Sequence, residues 1–546
     1  MTARRLVELV IGMGLAAPVA AQPHGGDTGS LTIVIGAEPT NPVPTLSGGK
    51  ANFDVGNILF LPLAWLGPGL VTTDEKSFQP ALARRWIRRD SLTLEFELDP
   101  RARWHDGVPV TSRDVVWSLN RARDSTVSPT YALLLRDLAG VRAEGPHRVV
   151  VTFRQHYAEQ LFDAVYHAPP LPAHLLDTIP AGRLETASFI GQPIGSGAYR
   201  WGRLEPGRQL ELVAVPEFFL GRPRLERLVF LIARNAEAQL NLILDGSADG
   251  YETPGLLARQ ITPVMEKPAL RIITRPSLGV GYLLFNRRAY GDRSQPHPVL
   301  ADPEVRRAIV LGVDRASLVR ATFGPYAAEA HGPMGHASWI RRVASKQPGY
   351  DPARARALLR QRGWADRDGD GTLEKDGVPL VLRLAYPGSN APRVAMAEPI
   401  QEMLRRIGIR IELVRLDGPV WAARRQKGEF DIDFAQVTLD PTPAGLVQSW
   451  SCAGIGGSNV ASICDQDFDQ ALGRAVRARG ADVNALWHAA IAAIQRNASA
   501  AFVFAPTQTV VLHTRYRHVD IRSDSPWSQL WRWSVDPAQR LARDQR

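Results

Sequence analysis

Short strand-like apolar runs alternate with capped helices over the full 546 residues, and this alternation most restricts the folds open to the chain. One hydrophobic core serves roughly 100–200 residues, so two large α/β lobes around β centres are expected. Residues 31–36 and 281–286 read as buried strands. Residues 93–98 place Leu94, Phe96 and Leu98 on one face and Glu95 and Glu97 on the other, the pattern of a half-buried strand. Further strands are expected at 208–215 and 226–232, with a short helix at 237–244. From about residue 300, helices separate the strands. Asp302-Pro303 and Asp351-Pro352 each set an N-cap before a proline in the first turn. A helix over 392–407 carries apolar residues at 396, 400, 403, 404 and 407. Pro399 should kink it and Gly408 should end it. Strands follow at 409–416 and 430–434, then a helix at 484–497 and a strand at 501–504. Two lobes of this kind bind small ligands in the cleft between them.

The ends, charge and cysteines narrow the class. Residues 1–21 read as a secretory signal: Arg4 and Arg5, an apolar run from Leu6 to Val19 broken by Glu8, then Val19-Ala20-Ala21. Residues 22–30 read as a disordered leader. No cysteine follows the cleavage region, so a lipid anchor is not expected, and the destination is periplasmic or secreted. The net charge is +10. Its arginines are scattered, which argues against a nucleic-acid surface. The chain has 2 cysteines, Cys452 and Cys464. Export to oxidising conditions favours a local disulfide, with two buried free thiols as the alternative.

Six segments together resemble one family: Pro80-Ala-Leu-Ala-Arg-Arg-Trp86, Trp104-His-Asp-Gly107, Asp114-Val-Val-Trp-Ser-Leu-Asn-Arg121, Pro193-Ile-Gly-Ser-Gly-Ala-Tyr199, Asp302-Pro-Glu-Val-Arg-Arg-Ala308, and Asp314-Arg315. In order and separation the chain is similar to the peptide/nickel-type extracellular solute-binding proteins of family 5, the capture subunits of ABC importers. The resemblance implies a two-lobed periplasmic-binding-protein fold, α/β, with hinged lobes around mixed β-sheets. Lobe I is expected at 31–275 with an inserted subdomain at about 60–190, lobe II at 276–508, and a return to lobe I at 509–546. It implies a monomer that binds a di- or oligopeptide and delivers it to permease transmembrane subunits, with no catalysis. A nickel chelate, haem, oligosaccharide or opine is the alternative cargo; an exported peptide hydrolase is the rival from another class.

Within the family the pattern is closest to dipeptide-binding members, because Ser451-Cys452 and Ser458-Asn459 through Cys464 follow it. That likeness assigns Asp440, in Thr438-Leu-Asp-Pro-Thr-Pro443, to the ligand's α-ammonium through a charge-assisted hydrogen bond. An Asx or helix-cap role before Pro441 competes with it. Arg393 is assigned to the ligand carboxylate, which a guanidinium fork fits with two bonds; an exposed first-turn arginine is the alternative. Trp450 and Trp421 are candidate pocket walls or core residues. Asp366, Asp368 and Asp370, before Gly371, copy the start of a calcium loop, but position 12 is Gly377. An exposed hairpin competes with a structural Ca²⁺ there, and Glu374 or Asp376 would have to complete the ion's shell. His105 reads as a turn residue of the first lobe.

Overall fold

The computed structural model describes residues 29–46, 48–254, 258–340 and 346–545. The expected signal segment and most of the leader lie outside the described residues. Ser30 corrects the leader's boundary. It opens the strand Ser30–Ile35, is buried, and its Oγ and N both donate to Asp544 at 2.9 Å.

A sheet of 12 strands has two wings that share one strand, Ala500–His513. The first half of that strand pairs antiparallel with Gly279–Phe285 and Ala327–Glu329. Its second half pairs with Gly250–Pro254 and Leu270–Pro276. Beyond Gly250–Pro254 lie Ser30–Ile35, Arg227–Ile232, Gln209–Ala214 and Tyr199–Glu205. Beyond Gly279–Phe285 lie Ile432–Thr438, Val381–Pro387 and Arg410–Leu416. The chain therefore crosses between wings inside Ala500–His513 and again between Pro276 and Gly279.

Each wing has its own core, which makes the molecule two-lobed. The first buries Leu31, Phe96, Trp104, Phe162, Leu512 and Trp533. The second covers both faces of its wing: Phe285, Ile309, Leu384 and Phe434 on one, Tyr282, Trp450, Trp487 and Phe502 on the other. A small antiparallel sheet, Ala83–Asp90, Thr93–Leu98, Arg148–Phe153 and Leu138–Ala143, joins the first core. Its strand Thr93–Leu98 alternates as expected, with Leu94, Phe96 and Leu98 inside. The charged outer face pairs Arg84 and Arg85 with Glu97, and Arg89 with Glu95 and Glu144. Such exposed pairs add little stability.

Most expected elements form within a residue or two of their sequence bounds, as end fraying allows. The helix at 392–407 is Ala391–Arg405, started by the Asn390 side chain, which accepts from Arg393 N at 3.1 Å. Asp302 and Asp351 both act as caps. The large difference is the shared strand, expected only at 501–504. Pro506 and the polar run Thr507-Gln508-Thr509 hide its second half from a hydrophobicity reading. In the fold Thr509 is fully buried, because paired strands flank it on both sides.

Two of the matching sequence segments bind each other. His105 Nε2 donates to Gly197 O at 3.0 Å and Nδ1 accepts from Gly195 N at 3.1 Å. Both ring nitrogens are thus committed to backbone, and burial pushes the imidazole down to about 4. Ser196 and Gly197 donate to Leu59 O at 2.9 and 2.8 Å. A Cβ on Gly195 or Gly197 would collide with the carbonyls of Leu59 or Ile58, so the close approach requires glycine. This contact seats the C-terminal end of the helix Lys50–Leu59, whose Asn52, Phe53, Gly56 and Asn57 line the cavity described next.

Candidate functional site

The lobes meet over a cavity that is partly open to solvent. The first lobe supplies nearly all of the wall. Helix Lys50–Leu59 gives Asn52, Phe53 and Asn57, and the strand Ala64–Leu66 gives Trp65. Tyr131 comes from the helix Pro129–Leu134, and Tyr166 and His167 from the end of the helix Gln160–Tyr166. Arg522, Asp524 and Ser525 come from the C-terminal return of the chain. Asp440 is the lining residue contributed by the second lobe.

Asp440 follows the strand Ile432–Thr438 and is half-buried. Thr442, not Asp440, caps the next short helix: its Oγ1 accepts from Ala444 N at 2.9 Å. Among the described residues, no hydrogen bond satisfies the Asp440 carboxylate. Burial pushes its pKa upward, and His167 pulls against that shift. The charge of Asp440 in turn adds to the burial that raises Tyr131 to about 12. A carboxylate facing two phenols and an imidazole, without a protein cation bonded to it, attracts a positive group on a ligand.

His167 is packed edge-on against Phe162 and Tyr166, with centroids 5.1 and 5.6 Å away. Its Nε2 lies 3.3 Å from Asp163 Oδ1, and Tyr157 OH donates to the other oxygen of Asp163 at 2.7 Å. Burial opposes charging this imidazole. The bond and charge of Asp163, with Asp440 and Glu159 beyond, outweigh it and hold the pKa above its ordinary value. Arg522 supplies no free cation: it grips Asp524 with two bonds, at 3.0 and 2.8 Å, and donates to Leu66 O at 2.6 Å.

The structure does not bring the other expected ligand residues to this cavity. Arg393 is buried and donates Nη1 to Phe434 O at 3.0 Å. Its guanidinium lies 5.0 Å over the Trp421 ring, and burial pushes it down to about 10. Trp421 Nε1 donates to Asp433 Oδ1 at 2.8 Å, and Arg425 Nε donates to Oδ2 at 2.7 Å. Arg393, Trp421, Arg425 and Asp433 therefore form a polar cluster within the second lobe. Trp450 is a core residue, 2% exposed, against Tyr282 and Phe502.

Cys452 and Cys464 form a disulfide. Asn459 ties the loop between them, donating to Ser451 O and Ile463 O at 2.8 and 2.6 Å. In the acidic loop, Asp366, Asp368 and Glu374 bring oxygens within 4.8 Å of one another; Asp370 is not in that group. The loop's own N–H groups already use these acids. Asp366 accepts from Gly369 and Gly371 at 2.8 and 3.1 Å, Asp368 from Asp370 at 3.1 Å, and Asp370 from Thr372 at 2.7 Å. Two short strands, Glu374–Lys375 and Val378–Pro379, make the hairpin beyond it.

Two wings on a shared strand, closing over one cavity, define a two-lobed solute-capturing receptor. Residues 77–457 match the bacterial extracellular solute-binding proteins, family 5 Middle. The chain belongs to this family of bacterial extracellular solute-binding proteins. It is 26% identical over 425 residues to the oligopeptide-binding protein AppA of Bacillus subtilis, covering 76% of this chain and 74% of AppA. It is 25% identical over 517 residues to di/tripeptide-binding protein 2 of Pseudomonas aeruginosa, covering 87% and 88%. Among solved structures, B. subtilis AppA in complex with a nonapeptide superposes with a TM-score of 0.81 at 22% identity, covering 93% and 99%. NikZ from Campylobacter jejuni in complex with Ni(L-His) also reaches 0.81, at 23% identity, covering 92% and 99%. At these identities the structural matches establish the fold. No helix among the described residues is long and apolar enough to cross a membrane.

Proposed function

We propose that this protein captures a peptide between its lobes and presents it, chemically unchanged, to the permease of an ABC importer. The observation that carries the reading is Asp440: a carboxylate in the interlobe cavity without a hydrogen-bond donor among the described residues. A peptide's α-ammonium supplies the missing donors and charge. The names of the sequence relatives, which are peptide-binding proteins, support the same cargo. Among the described residues, the ligand's carboxylate end lacks a comparable partner in the cavity, since Arg522 is held by Asp524 and Arg393 does not line it. The site thus selects for a free N-terminus and tolerates variation in length and at the C-terminus. Closure turns about the crossings at 276–279 and within Ala500–His513, and ligand shifts the equilibrium only by its extra affinity for the closed form. The receptor acts as a monomer after export.

The test is incubation with a defined peptide pool, removal of unbound material and mass spectrometry of what the protein retains. Intact peptides enriched in free amino termini are expected. Cleavage products would show a hydrolase, and retention indifferent to N-acetylation would remove Asp440 from the site.

A further inference from the structure

The loop that carries Asp440 is fastened to the first lobe by a buried chain of hydrogen bonds that is separate from the cavity. Thr442, two residues after Asp440, donates Oγ1–H to Glu159 Oε2 at 2.8 Å. The other oxygen, Oε1, accepts from Thr72 Oγ1. Thr72 Oγ1 in turn accepts from Trp339 Nε1 at 2.9 Å, and Thr442 Oγ1 accepts from Ala444 N at 2.9 Å. Every donor in this chain points toward the Glu159 carboxyl group. Glu159 lies between the first-lobe core residues Tyr157 and Leu161 in sequence and Thr72 follows Leu70, whereas Trp339 and Ala444 pack on the second-lobe core. Glu159, Thr72 and Thr442 are 5%, 1% and 2% exposed, so water does not compete with these bonds. Leu133, Leu134 and Ala158 of the first lobe also pack on the second-lobe core, sealing the contact.

The placement couples this contact to the cavity. Glu159 stands at the N-terminus of the helix Gln160–Tyr166, whose C-terminal end delivers Tyr166 and His167 to the wall. Asp440 and Thr442 share the facing loop of the second lobe. The same two elements thus meet twice, once through Glu159 and Thr442 and once across the ligand space. Among the described residues, the titratable groups that face Glu159 are Asp163, His167 and Tyr157; its direct partners are the two hydroxyls.

The geometry points to Glu159 as a positioning residue: with Thr72, Thr442 and Trp339 it latches the lobes and sets Asp440 against the Tyr166–His167 wall. The latch draws on contacts between the lobes alone; only its effect on peptide affinity rests on the reading of Asp440. Closing then begins from a ligand-free protein that already populates the closed form, and losing the latch transfers that population to the open form.

The experiment measures the ligand-free open fraction by single-molecule energy transfer, with dyes on Ser91→Cys in the first lobe and Asp376→Cys in the second, both at exposed positions. A buried hydrogen-bond partner left unsatisfied supports a change of about tenfold or more in the opening equilibrium. Thr442→Val, close in shape, and Glu159→Ala should each raise the open-to-closed ratio by about that factor. The double variant should go little further, because both remove one chain of bonds. Melting curves accompany each variant; Thr442→Val keeps the test decisive if Glu159→Ala does not fold. An unchanged open fraction in a folded Thr442→Val protein, or full additivity of the two substitutions, overturns the latch. An Asp440→Asn variant that keeps full peptide affinity while the latch variants still open overturns the ligand reading and leaves the latch standing.

Discussion

Replacing Asp440 by Asn removes the charge that the cavity reserves for a ligand cation while keeping the side chain's shape. A hydrogen bond between an ammonium and a carboxylate is worth about 1.5–3 kcal/mol when the partner is not otherwise satisfied. At 1.4 kcal/mol per tenfold, the expected loss is roughly 10- to 150-fold in Kd. The structure favours the upper part of that range: burial raises the carboxyl's pKa, and no hydrogen bond from the described residues is present to blunt the loss. Titration calorimetry with one peptide and its N-acetylated twin, on the wild type and the Asn variant, closes a double-mutant cycle. The free peptide should lose most of its affinity on substitution, and the acetylated peptide almost none. The pH dependence has a defined sign. Asp440 binds protons more readily in the empty cavity than beside an ammonium, so affinity should fall as pH drops below its raised pKa. Equal losses for both peptides, or none for either, would refute the reasoning.

Three further outcomes follow from the same geometry. Glu159 is raised to about 7, chiefly by burial and then by Asp163, whereas in an opened, hydrated cleft it returns toward roughly 4.3. Closing therefore takes up a proton: the contribution is fully present below roughly pH 4.3 and is lost as pH rises through about 7. The difference is of order 3–4 kcal/mol, and the ligand-free open fraction measured against pH should show it, with Glu159→Gln flattening the profile. Opening the Cys452–Cys464 bridge with the Cys452→Ser, Cys464→Ser pair should destabilise the second lobe by about 3 kcal/mol, read from denaturant midpoints; an unchanged midpoint would show that Asn459 alone orders the loop. Chelator should leave the melting temperature unchanged, since Asp366, Asp368 and Asp370 already accept bonds from their own loop; a clear drop would identify a structural cation there.

What the sequence disclosed and what it withheld divide along physical lines. Local signals were legible wherever one segment carries the whole cause: the alternation in Thr93–Leu98, the Asp302 and Asp351 caps, and the two cysteines. Family resemblance pointed to Asp440, and the structure puts it in a cavity and gives the competing cap role to Thr442. Tyr131, Tyr166, His167 and Arg522 carried no such signal, because segments remote in sequence build that wall. Arg393 looked ligand-facing at a helix start, yet it lies away from the cavity with its Nη1 bonded to the Phe434 carbonyl on a neighbouring strand. Trp450 illustrates the same limit: a tryptophan near a candidate site reads alike whether it faces solvent or, as here, Tyr282 and Phe502. The polar half of Ala500–His513 was hidden because its burial comes from partners on both sides rather than from its own composition.

The most direct trial of the account is small-angle scattering of the purified protein, first stripped of ligand by unfolding and refolding, then given a free-amine peptide or the N-acetylated form. The radius of gyration should shrink with the first and stay put with the second, and the peptide should be recovered at its original mass. A profile indifferent to every peptide supplied, or recovery of fragments, would contradict it.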